Sequence, residues 1–93
     1  MKPYLLILGS AFGTRQSVCD WLDTRAEILN WIRPAIPNLI IITSQNSAFQ
    51  LGEIIRQRYP SAHFLVTEVS SASTDGWMAK AAWEHIRNPN VAS

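Results

Sequence analysis

Four successive aliphatic residues, Leu39-Ile40-Ile41-Ile42, three of them β-branched, stand between the turn signal Pro37-Asn38 and the hydroxyls of Thr43 and Ser44. Such a run suits a strand buried on both faces, and it makes residues 38–44 the axis of the fold. Whatever this chain forms must place a strand here with cover above and below. A chain of 93 residues has room for one core and one domain, and few enough residues that pairing with a second copy would add usefully to stability. Hydrophobic residues make up 47% and charged residues 16%, so some apolar surface is expected to be hidden in an interface.

The rest of the chain arranges itself around that strand. The run Tyr4-Leu5-Leu6-Ile7-Leu8, closed by Gly9, predicts a first central strand over about 4–8. Thr14 is a good N-cap for a helix over about 14–24 in which Val18, Trp21 and Leu22 share a face, with Cys19 as a small packing residue inside it. Ser47 followed by Gln50 predicts a capping box for a helix over about 47–59, with Ala48, Leu51, Ile54, Ile55 and Tyr59 on its apolar side and Pro60 as its stop. Residues 63–69 read as a strand whose Thr67 and Glu68 put it at an edge. Asp75 predicts the cap of a last helix over about 76–87, where Ala79, Ala82, Trp83 and Ile86 share a face.

Residues 27–36 decide the topology. As a strand over about 28–33, with Pro34 tolerated on an edge, they give β-α-β-β-α-β plus a terminal helix: an α+β, ferredoxin-like arrangement with strand order 4-1-3-2. As a continuation of the helical spacing of Val18, Trp21 and Leu22, they give an α/β three-stranded parallel sheet. In the parallel version the loops 9–14, 44–47 and 70–75 gather at one end as a ligand crevice. In the ferredoxin-like version they do not, and an open sheet face, two edges and two helices remain.

Within the ferredoxin-like reading, the core pattern over about 4–69 and a tail containing Gly76-Trp77 and Ala82-Trp83 resemble the VapD, SinR-like and CRISPR adaptation nuclease-like small proteins. The resemblance implies a homodimer formed through sheets or their edges and a toxin-antitoxin or other defence locus. Nuclease members of that group close the first strand with a metal-binding Asp; this chain has Leu8-Gly9-Ser10 there, which speaks against nuclease activity.

Chemistry is sparse. Gly9, Ser10, Gly13, Thr14 and Arg15 could together hold a phosphate or carboxylate at a helix start, although the glycine spacing is one short of a P-loop and no Lys follows the second Gly. The competing reading is a plain strand-to-helix turn with its cap. His63, Glu68, Asp75 and His85 are the groups from which a metal or acid-base site would be built, and none stands at a recognised ligand spacing, so neither a metal nor a cofactor is expected. Neither His lies in a motif that would make a serine nucleophilic. Arg33, Arg56 and Arg58 could form a small basic patch, Trp31 could stack on a base or sit in an interface, and Trp77 and Trp83 are expected as core or interface anchors of the last helix.

A net charge of +1 gives no bulk attraction for nucleic acid or an acidic membrane, and no apolar run reaches the roughly 18 to 20 residues of a membrane helix. The apolar stretch near Met1-Lys2 is too short and too interrupted for a secretory signal. The single Cys19 forbids an intramolecular disulfide, and the cytoplasm is the expected compartment. The expected function is a non-catalytic interaction module, homodimeric, binding a protein or nucleic-acid partner. A metal-dependent ribonuclease using Glu68 and Asp75, and a small-anion or nucleotide binder at residues 9–15, are the alternatives.

Overall fold

The computed structural model describes residues 1–70, 72, 74–76, 78 and 80–87. Strand β1 (Lys2–Leu8) leads through a loop to helix α1 (Arg15–Leu22), then to the short strand β2 (Asn30–Ile32), strand β3 (Leu39–Ser44), helix α2 (Ala48–Arg58), strand β4 (Phe64–Glu68) and helix α3 (Lys80–Arg87). Residues 27–36 therefore hold a strand, and the chain is α+β. The four strands form one sheet in the order β2-β3-β1-β4 with every neighbouring pair antiparallel. β1 lies against β3 with Leu5 opposite Ile41, so the parallel three-stranded alternative and its one-ended crevice do not occur. What the local pattern could not decide, the free edge of β3 does: Trp31 pairs with Ile42 and Ile32 with Ile41.

All six residues of β3 are buried, because both faces of its sheet are covered. On one face Tyr4, Leu6, Leu8, Ile40 and Ile42 meet Val18, Cys19 and Leu22 of α1 and Leu51 and Ile55 of α2. On the other, Ile41 packs with Val69 and with Ala82 and Ile86 of α3, joined by Leu5, Ile32, Met78 and Trp83. The open face expected of the four-stranded arrangement is thus partly closed by the terminal helix. α3 lies against β1 and β3, and on the β4 side of that face, uncovered among the described residues, Ile7 is 42% and Leu65 57% exposed, directly opposite one another in the ladder.

The helix ends follow their local chemistry. Ser47 and Gln50 form the complete capping box. α1 stops at Leu22 because the Trp21 carbonyl accepts from the Thr24 backbone and side chain, which turns the chain toward β2. α3 begins at Lys80, later than the expected 76: Asp75 accepts a hydrogen bond from the Gly76 N–H, and Gly76 at φ 157° is far from helical.

Candidate functional site

Residues 9–15 connect β1 to α1, and of the five expected anion-binding residues Gly9, Ser10, Thr14 and Arg15 have hydrogen-bond partners within the fold. Gly9 donates its N–H to the His63 carbonyl at 2.7 Å, and a Cβ at Gly9 would overlap that same oxygen. Ser10 accepts at its carbonyl from the His63 N–H, and its Oγ lies 3.1 Å from His63 Nδ1. Gly13 adopts φ 81°, where a side chain is strained. Thr14 caps α1 by accepting from the Ser17 N–H at 3.1 Å. Between the two glycines Phe12 is buried, its ring centroid 4.8 Å from that of Tyr59 and 6.2 Å from that of Phe64.

Arg15 completes the loop in a way the sequence does not announce. Its Nη1 donates to the carbonyls of Pro34, Ile36 and Leu39 at 3.0, 2.9 and 3.2 Å. The guanidinium holds the β2–β3 connection to the start of α1, and the loop has a structural role that needs no ligand. The Ser10–His63 contact brings a hydroxyl and an imidazole together across 53 residues. Both are exposed, and a nucleophile would further need a group to orient the imidazole; the contact serves to close the end of the β1–β4 pair.

A groove of about 490 Å³ runs along β2, lined by Asp23, Trp31, Ile32 and His85 among others. The Trp31 indole N–H donates to the Asp23 carboxylate at 2.6 Å, so this half-buried ring is tied within the chain. Burial pushes the His85 imidazole below its usual pKa, and its Nδ1 is enclosed with no hydrogen-bond partner among the described residues. Trp83 packs on the sheet, with the Arg87 guanidinium 5.5 Å over its ring. Trp77 lies outside the described residues. Cys19 is fully buried, and burial raises its thiol pKa against the opposing pull of Arg33 and Arg15, which suits a packing residue.

A second groove, about 410 Å³, lies between α2 and β4, with Phe49, Gly52, Arg56, Phe64, Leu65 and Val66 in its walls. Phe49 is 72% exposed. Gly52 leaves room for the Arg56 guanidinium, whose nitrogens pass 3.5 Å from where a Cβ would stand. Arg56 also pairs with Glu53 at 2.9 Å on the exposed side of the helix. Sequence reasoning missed Phe49, yet the signal was present: it is a large apolar residue lying off the apolar stripe of Ala48, Leu51 and Ile55.

The groups considered for metal chemistry are dispersed. Glu68 pairs loosely with Lys2 at 3.8 Å, Asp75 binds its neighbour's N–H, and among the described residues no three His, Cys, Asp or Glu side chains come together as a metal site. No described helix is long and apolar enough to cross a membrane. No protein family, curated protein or solved structure matches the chain.

Proposed function

We propose that this chain is a small non-catalytic interaction module, homodimeric and cytoplasmic, built on a ferredoxin-like core and presenting its surface to a protein or nucleic-acid partner. The observation that carries the reading is the exposed apolar surface around β4: Phe49 on the helix side, Leu65 and Ile7 on the other, flanking a strand that no further strand covers among the described residues. Side chains of this size standing in water on both sides of a sheet edge mark an association surface.

Three further features support it. The strand order β2-β3-β1-β4 supports the ferredoxin-like reading, for which a 4-1-3-2 order is expected. Arg15, the charged member of the loop considered for anion binding, is engaged by the carbonyls of Pro34, Ile36 and Leu39. The lone, buried Cys19 suits a reducing compartment. A place beside the VapD, SinR-like and CRISPR adaptation nuclease-like proteins, in a toxin-antitoxin or defence setting, is part of the same proposal. Light scattering on the purified chain at tens of micromolar tests it. The expected mass is twice the 10.5 kDa of one chain; a monomer at every concentration would remove the dimer from the proposal.

A further inference from the structure

We propose that the second copy docks on the outer edge of β4, antiparallel to it and centred on Val66, so that two four-stranded sheets join into one. This rests on the homodimeric reading above and specifies its geometry.

The ladder fixes which backbone groups are on offer. Val69 donates its N–H to the Pro3 carbonyl, and Gly9 donates to the His63 carbonyl, so the odd-numbered residues of this segment turn their N–H and C=O groups toward β1. By alternation, those of Phe64, Val66 and Glu68 turn outward, where the sheet has no further strand among the described residues. β4 offers five residues of edge, against the three of β2.

The side chains select an antiparallel copy of the same strand. With Val66 opposite its own counterpart, Glu68 of each copy comes level with Phe64 of the other. Phe64 and Arg56 line the same groove, so each Glu68 carboxylate is delivered to the partner's side of that groove, toward an arginine. Docking replaces the loose 3.8 Å contact of Glu68 with Lys2, the surface pair of Arg56 with Glu53 and the 3.3 Å bond that the Thr67 hydroxyl donates to the Glu68 carbonyl. The match is made twice by the two-fold axis, as a self-complementary interface requires. Leu65 and Phe49, the two most exposed large apolar side chains of the α2–β4 region, flank the seam on opposite faces of the sheet.

Charge reversal tests the arrangement without touching the core, since Arg56 and Glu68 are both exposed. The dimer dissociation constant of Arg56→Glu, of Glu68→Arg and of the double variant is measured by sedimentation, with circular dichroism confirming the fold. Each single reversal sets like charges against each other and is expected to weaken the dimer about tenfold or more, and the double variant to return within about threefold of the original. A dimer indifferent to both single reversals, or one that the double variant fails to restore, would overturn the β4 geometry and leave the dimer standing. A monomeric original protein would overturn both.

Discussion

Arg15 and Pro34, nineteen residues apart, are joined by a hydrogen bond of 3.0 Å from the guanidinium Nη1 to the proline carbonyl. The same nitrogen serves Ile36 and Leu39, so one side chain at the start of α1 gathers the whole β2–β3 connection. Three carbonyls that have this donor in the folded protein would lose it together in Arg15→Ala. The variant is expected to lose about 2 kcal/mol of stability, the scale of a charged hydrogen bond, read as a lower urea midpoint. An unchanged midpoint would show that the connection is held without Arg15.

Thr43 points the other way. It is 1% exposed, and its Oγ1 has no hydrogen-bond partner among the described residues. An enclosed hydroxyl without a partner carries a desolvation cost that a methyl group does not. Thr43→Val is expected to stabilise the protein by about 1 kcal/mol, raising the thermal midpoint by several degrees. A lower midpoint would mean that the hydroxyl is satisfied in solution.

His85 makes stability depend on pH. Burial lowers its folded pKa below the ordinary 6.5, so between the two values the unfolded chain binds the extra proton. Its contribution is full above about 6.5, falls as the pH drops through that value, and levels off below the folded pKa. Urea unfolding at pH 7.5 and 5.5 should show a loss on acidification that shrinks in His85→Gln. Equal losses in both proteins would assign the dependence to other groups.

The fold was legible where one residue pattern admitted one solution. Continuous aliphatics made β3 central, and Thr67 with Glu68 made β4 an edge. Residues 27–36 were not, because Ile28, Leu29 and Ile32 satisfy a helical spacing and an alternating one alike; the outcome depends on pairing with a β3 edge more than ten residues away in the case of Trp31 and Ile42. The placement of α3 on the second sheet face was equally hidden, since an apolar helix face does not say which surface it will cover. At the candidate site, a glycine-and-hydroxyl loop before a helix looks the same whether its arginine faces an anion or three carbonyls of a distant turn. Phe49 was the readable exception, standing off its helix's apolar stripe.

Amide hydrogen exchange along β4 tests the central claim most directly. Phe64, Val66 and Glu68 turn their N–H groups outward, so a second copy paired on this edge must protect them. Their exchange is expected to slow as the protein concentration is raised through the dimer dissociation constant, Val66 most of all. Exchange at these three amides that stays fast and independent of concentration, in a protein that is dimeric by mass, would contradict the β4 interface.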